Sequence, residues 1–276
     1  MESILFNTYI KNDILYQLDE SEIEIDFGRL SIYEVIRIDD FTPLFLNEHY
    51  KRFCNSSKYS DILIPSKKEF QKQIEKIISH CQQKSGNVKI ISQNNINNNN
   101  YNCYYFFIPH YFPKDKDFTQ GVETIFFDIE RKNPQSKAVD INYKKELGIA
   151  LNKSKAYEAM IVNKEAYITE GSKSNLFFIK GHIVYTSPIE YVLPGITREK
   201  IEQICAENKI PLIHKLFSKE DVLKSDAAFI SGTSPKVLPI AKIENKTFDV
   251  RHPIIQKIST AYDRYITQDI ESHKKQ

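Results

Sequence analysis

The chain has 276 residues, 41% of them hydrophobic and 27% charged, and its 38 basic and 36 acidic side chains leave a formal net charge of +2. That composition supports a packed core in one large domain or two modest ones and excludes a disordered chain. No basic block carries interleaved aromatics, so nucleic-acid binding has little support, and no run approaches the roughly 18 apolar residues of a membrane span.

The start, Met1-Glu2-Ser3-Ile4-Leu5-Phe6-Asn7, lacks the charged-then-apolar order of a secretory signal. Cys54, Cys81, Cys103 and Cys205 are far apart and form no CxxC pair. They read as mostly buried thiols in a reducing compartment, with no metal site, and the expected location is the cytoplasm.

Residues 1–38 read as strands, with alternation through Ile23-Glu24-Ile25-Asp26-Phe27 and again through Tyr33-Glu34-Val35-Ile36-Arg37-Ile38. Asp39-Asp40 makes a turn, and Pro43-Leu44-Phe45-Leu46 is the expected partner strand of a hairpin. A helix follows around 48–57. A second opens with a capping box of Ser66 and Glu69 and puts Phe70, Ile74, Ile77, Ile78 and Cys81 on one face. The Asn-rich stretch from Asn94 to Asn100 reads as a hairpin tip between strands at 88–92 and 103–108. The chain is therefore expected to divide into a small domain over 1–112, a linker over 113–117 and a larger domain over 118–276. The larger part should carry strands at 122–128, 159–162, 176–179 and 227–231. It should also carry helices near 143–155, after Thr197, and at the C-terminus through Ile254, Ile255, Ile258, Ala261, Tyr262, Tyr265 and Ile266.

Four segments bear chemistry. Thr169-Glu170-Gly171-Ser172 follows a strand and sets a carboxylate among small residues. Leu193-Pro194-Gly195-Ile196-Thr197-Arg198 leads into a helix whose open N–H groups and positive dipole end suit a phosphate, with the Thr197 hydroxyl as a further donor. Ser231-Gly232-Thr233-Ser234 follows an apolar strand and offers hydroxyls on a loosened backbone. Arg52, in Glu48-His49-Tyr50-Lys51-Arg52-Phe53, supplies a guanidinium suited to bidentate contact. Taken singly, each has a plain structural reading: a helix cap, a solvated acid, an ordinary loop, a surface ion pair. Their order and spacing together carry more weight.

That order resembles the class IV, fold-type IV pyridoxal-phosphate enzymes: branched-chain aminotransferase, D-amino-acid aminotransferase and 4-amino-4-deoxychorismate lyase. The matching pieces are Tyr33-Glu34-Val35-Ile36-Arg37, His49-x-x-Arg52-Phe53, Asn133-Pro134-x-x-Lys137 and Tyr157-Glu158-Ala159. They continue through Ile168-Thr169-Glu170-Gly171-Ser172-x-Ser174-Asn175-Leu176-Phe177, Leu193-Pro194-Gly195-Ile196-Thr197-Arg198 and Ser231-Gly232-Thr233. The resemblance implies an α/β fold of two domains, a small α/β one and a larger pseudo-barrel-like one, and a homodimer.

It also implies roles. Lys137 would hold pyridoxal 5'-phosphate as a Schiff base and shuttle the proton. It stands 33 residues before Glu170 and 20 before Tyr157, as in the family, whereas Lys144 and Lys145 sit in a charged stretch. Glu170 would pair with the protonated pyridine nitrogen. Arg52, the Ile196 and Thr197 N–H groups and Thr233 would hold the phosphate. Gly232, Thr233 and Ser234 would lie near the substrate carboxylate, and Asn175 would support the loop behind Glu170. His49 would make a structural hydrogen bond.

Several positions depart from the family pattern. Asn142 stands five residues after the lysine, where branched-chain enzymes have a tyrosine, and Tyr143 comes one later. The stretch Gln93–Asn102 has no arginine or histidine to trap a carboxylate, which argues against D-alanine transamination of the usual kind. The segment Phe27–Ile32 also lacks the family's Gly-Asp-Gly turn. Arg29 and Arg37 are candidate substrate-carboxylate ligands, because strand positions 29, 31, 33, 35 and 37 share a face; the alternative is that they pair with surface acids. Tyr33, on that face, would shape the pocket.

The leading expectation is an aminotransferase that moves an amino group between a small amino acid, with branched-chain ones among the candidates, and a 2-oxo acid. The alternative is a 4-amino-4-deoxychorismate lyase, which releases pyruvate and 4-aminobenzoate. A non-catalytic scaffold of the same fold is the third reading.

Overall fold

The computed structural model describes residues 2–19, 22–23, 30–95, 100–131 and 133–275. The strand expected over Ile23–Phe27 lies outside them from Glu24 onward, as do Arg29 and Ile96–Asn99 of the Asn-rich tip. The chain forms two compact units, and their division is not a single cut. One comprises Met1–Tyr111, Ser136–Val139 and Ile266–Gln276; the other comprises Phe112–Gln135 and Asp140–Tyr265.

The first unit holds β1 (Glu2–Ser3), β2 (Thr8–Lys11), β3 (Ile14–Gln17), β4 (Glu22–Ile23), β5 (Ile32–Asp39), β6 (Thr42–Pro43), α1 (Leu46–Ser60), α2 (Lys67–Cys81), β7 (Gly86–Asn95) and β8 (Asn100–Ile108). Among the described residues, six strands form an antiparallel sheet in the order β3-β2-β8-β7-β5-β6. The alternation read in β5 is a physical one. Ile32, Glu34, Ile36 and Ile38 are buried, while Tyr33, Val35 and Arg37 are half-buried on the other face. The three buried isoleucines join Phe53 of α1, Phe70, Ile74 and Ile77 of α2, and Val88, Ile90, Tyr105 and Phe107 in one core. Each large apolar side chain there contributes about 1.5–3 kcal/mol.

Helix α2 starts where the Ser66 hydroxyl accepts the Glu69 N–H at 3.3 Å, and it stops at Gln82 in the left-handed conformation. The hairpin partner expected over 43–46 is shorter. Thr42-Pro43 pairs with β5 and the Leu44 N–H still donates to the Arg37 carbonyl at 2.9 Å, but Phe45 turns left-handed (φ 52°) and α1 begins at Leu46.

The second unit holds α3 (Asp115–Gln120), β9 (Val122–Asp128), α4 (Ile141–Ser154), β10 (Glu158–Val162), β11 (Tyr167–Gly171), β12 (Asn175–Lys180), β13 (Ile183–Thr186), α5 (Ile196–Glu207), β14 (Leu212–His214), β15 (Phe217–Ser218), α6 (Lys219–Leu223), β16 (Ala227–Gly232), β17 (Lys236–Ile243) and β18 (Lys246–Thr247). Its sheet runs β14-β13-β12-β16-β17-β9-β10-β11-β15, with β18 on β17. β9 is parallel to both neighbours and β13 to β14, and the remaining pairs are antiparallel. Met160, Ile168, Leu176, Phe178, Ile230 and Leu238 form its core.

The strands of β10, β12 and β16 are apolar almost throughout and buried on both faces, which explains their continuous hydrophobic runs. The final helix, α7 (Pro253–Lys274), buries Ile255, Ile258, Tyr262 and Ile266. Among the described residues, no helix is long and apolar enough to cross a membrane.

Candidate active site

Glu34 and its partners centre the first unit. Glu34 is fully buried; its Oε1 accepts Arg52 Nε at 2.8 Å and its Oε2 accepts Arg52 Nη2 at 2.6 Å. Oε2 also meets His49 Nδ1 at 2.7 Å. Helix geometry makes this possible, because His49 and Arg52 are three apart on the face of α1 turned toward β5. Burial pushes the Glu34 carboxyl up, but the Arg52 charge and the hydrogen bonds from Arg52 and His49 outweigh it and bring it down to about 2. Burial holds His49 below its ordinary value, and the charges of Arg52 and Lys137 act the same way against the pull of Glu34. An ionised carboxylate only accepts, so the neutral imidazole carries its proton on Nδ1.

Lys137 lies alongside the start of β5. Its backbone N–H donates to Ser56 Oγ at 3.1 Å, and its carbonyl accepts the Tyr33 N–H at 2.9 Å. Ala138 bridges Ile32, and the Val139 N–H donates to the Ser31 carbonyl. The segment thus behaves as a short extra strand held on both sides of the lysine. Lys137 is half-buried, whereas Lys144, Lys145, Lys153 and Lys155 are exposed. Its Nζ sits 4.8 Å from the centroid of the Tyr33 ring.

A second lysine shares that ring: Lys89 Nζ is 5.3 Å from the same centroid, and Lys89 is buried. Sequence reasoning missed it. Its signal is a cation interrupting the apolar run Val88-Lys89-Ile90-Ile91 of a strand buried along most of its length. Val35 stands opposite Lys89 in register, so Tyr33, Val35, Arg37 and Lys89 share one face. Arg37 Nη2 reaches Asp39 at 3.9 Å. Arg29 lies outside the described residues.

Glu170 centres the second unit. It lies inside β11 rather than after it, and it is buried. Its Oε1 accepts Arg131 Nη1 at 3.0 Å and its Oε2 accepts the Leu193 N–H at 2.9 Å. The turn that follows is held by a second buried acid, Glu158, which the sequence motif contained without a role. Glu158 Oε1 accepts the N–H groups of Ala159 (3.0 Å) and Ser172 (2.9 Å) and the Ser172 hydroxyl, and Oε2 accepts Ser174 Oγ at 2.9 Å. Burial raises the Glu158 carboxyl against these donors. A Cβ on Gly171 would meet Ser174 Oγ at 2.1 Å, so a side chain there would push the Ser174 hydroxyl off Glu158.

The segment that binds Glu170 also starts α5. Asn175 Nδ2 donates to the Leu193 carbonyl at 3.0 Å, and its Oδ1 would lie 2.0 Å from a Cβ at Gly195. Gly195 is the N-cap and brings no side chain, so the α5 start keeps its N–H groups uncapped by side chains. Ile196 and Thr197 are buried, with Thr197 Oγ1 3.2 Å from Tyr262 Oη. Ser231 and Gly232 end β16, and Thr233 and Ser234 follow in the turn after it. Ser231 Oγ is buried without a hydrogen-bond partner among the described residues, an orphan that a ligand oxygen would satisfy.

Residues 31–243 match the family model for amino-transferase class IV. The chain belongs to the class IV aminotransferase family. A D-alanine aminotransferase of Bacillus licheniformis is 26% identical over 96% of this chain and 98% of its own. The fold is similar to that of the Escherichia coli branched-chain amino acid aminotransferase, with a TM-score of 0.84 and 20% identity over 95% of each chain. It is also similar to a proposed 4-amino-4-deoxychorismate lyase of Legionella pneumophila, with a TM-score of 0.79 and 24% identity over 90% of this chain and 96% of that one. The family assignment rests on the sequence match, and the two structures agree with it at the level of the fold.

Proposed function

We propose that this class IV enzyme uses pyridoxal 5'-phosphate to move an amino group between a small, including branched-chain, amino acid and a 2-oxo acid. The residues present fit that cofactor by their chemistry: a held lysine, a buried carboxylate, a helix start open to phosphate, and an orphaned hydroxyl beside Thr233. The observation that carries the reading is Lys137. It is half-buried and tied on both sides, while the other four lysines between it and Tyr157 are exposed.

When bound, the cofactor supplies an electron sink for a carbanion at the amino-bearing carbon. Lys137 Nζ would hold the cofactor and would serve as the base that moves the proton at that carbon. Glu170 would hold the proton on the ring nitrogen. The N–H groups of Ile196 and Thr197 would hold the phosphate, with Thr233 and Arg52 completing the donor set. Tyr33, Arg37, Arg29, Gly232, Thr233 and Ser234 orient the substrate. The proposed assembly is a homodimer, and the free thiols among the described residues suit a cytoplasmic setting.

One feature favours the lyase as the second reading: the 33-residue interval between Lys137 and Glu170 suits that branch of the family. The test is the visible absorbance of the cofactor-loaded protein before and after L-glutamate, L-leucine or D-alanine. Loss of the yellow band with one of them supports transamination and gives its handedness. A yellow protein unmoved by all three turns the assignment to the lyase. A colourless protein that takes up no cofactor, or a Lys137→Ala variant with an unchanged yellow band, sinks the reading.

A further inference from the structure

We infer that Arg131 is the standing counter-ion of Glu170 and that it sets how firmly the ring nitrogen of the cofactor keeps its proton. The inference rests on the cofactor reading given above and adds a positioning residue to it. Arg131 Nη1 stands 3.0 Å from Glu170 Oε1, while the Leu193 N–H occupies Oε2 at 2.9 Å. Glu170 has 3% of its surface exposed. A carboxylate this deeply buried needs a cation or several donors, and Arg131 supplies the full positive charge.

The placement is built into the chain. The Ile129 N–H donates to the Val162 carbonyl at 3.1 Å, which fixes the segment after β9 beside β10. The adjacent acid, Glu130, is engaged with Lys164. Arg131 therefore meets Glu170 with its nearest chain neighbour committed elsewhere.

The electrostatic consequence follows from adding charges. A ring nitrogen that presents its proton to a lone carboxylate is strongly stabilised in the protonated state. A carboxylate already neutralised by a guanidinium offers a second cation less. Arg131 should thus hold the ring nitrogen less completely protonated than an unpaired glutamate would, and so moderate the electron sink.

The test has two arms, and the first needs no cofactor. Thermal unfolding of the cofactor-free chain is compared for wild type, Arg131→Met, Glu170→Gln and the double variant. Arg131→Met should lower the midpoint by roughly 5–15 °C, because it strands a buried carboxylate. The double variant should recover much of that loss, and strictly additive midpoints overturn the pairing.

In the second arm, the nitrogen-15 resonance of ring-labelled pyridoxal phosphate is followed across pH in the full-length holoenzyme. Arg131→Met should move it toward the protonated position, and Arg131→Lys should stay near wild type. Arg131→Gln keeps a neutral donor if the methionine variant folds poorly, and it should shift like Arg131→Met. A resonance indifferent to all three variants overturns the inference while leaving the functional reading in place. A wild-type chain that takes up no cofactor overturns both.

Discussion

Arg52 grips Glu34 through two parallel hydrogen bonds, Nε to Oε1 at 2.8 Å and Nη2 to Oε2 at 2.6 Å, with both side chains buried. Removing one charge strands the other. Glu34→Gln should therefore cost about 3–5 kcal/mol of stability. Arg52→Lys keeps the charge but loses the fork and should also destabilise the fold. Urea unfolding of the cofactor-free chain measures both; a Glu34→Gln variant as stable as wild type would show that the pair contributes nothing.

The same carboxyl predicts an acid limb. Its folded value of about 2 lies below the ordinary 4.5, so the stability it contributes is fully present above 4.5 and is lost as pH falls toward 2. The size is about 3 kcal/mol if the unfolded chain titrates normally. Unfolding free energy against pH should therefore slope down between those limits in wild type, and the slope should flatten in Glu34→Gln.

His49 adds a second, higher limb. Its folded value is lowered, so the unfolded chain binds the proton more readily and stability falls as pH drops below about 6.5. His49→Asn can still donate to Glu34 from its amide without titrating. It should keep the stability measured at pH 7.5 and lose the decline from there to pH 5.5.

Lys89 predicts a substrate effect. Its buried cation shares the Tyr33 ring with Lys137, an arrangement that favours a carboxylate on that face. Lys89→Met should raise KM for the 2-oxo acid by roughly 10–100-fold with kcat little changed. Steady-state kinetics separates the two parameters; a fall in kcat alone would rule out the binding role.

Gly195 predicts a steric one. An added Cβ would meet Asn175 Oδ1 at 2.0 Å, and Asn175 holds the Leu193 carbonyl while Leu193 donates to Glu170. Gly195→Ala should cost about 1–3 kcal/mol from overpacking. It should also weaken pyridoxal-phosphate binding at least tenfold, read by fluorescence titration, and Asn175→Ala in the same chain should relieve the clash.

Patterns local in the chain were legible. The α2 helix, the β5 alternation and the β9 strand follow from periodicity and capping over a few residues. Glu170 was readable as a special acid through its setting in a recognisable run, but its placement inside β11 was not. That depends on Glu158 and on the serines that bend the chain after it. Glu34 shows the limit best. As one member of an alternating strand it looks like any acid, and only the packing of α1 against β5 gives it Arg52 and His49. Lys89 and Arg131 were passed over for the same reason, because their partners lie 56 and 39 positions away.

The first unit is finished late. Ser136–Val139, with Lys137, and the run from Ile266 onward belong to it, while the second unit's residues lie between them in the chain. Phe45 gives its N–H to Asp269 and Asp40 meets Lys274, so the entry to α1 waits on residues made after the whole second unit. During synthesis on the ribosome, residues 1–111 emerge without the segment that carries the lysine and without the end of the last helix. A chain stalled before Ile266 would lack the Asp269 and Lys274 side chains that meet Phe45 and Asp40.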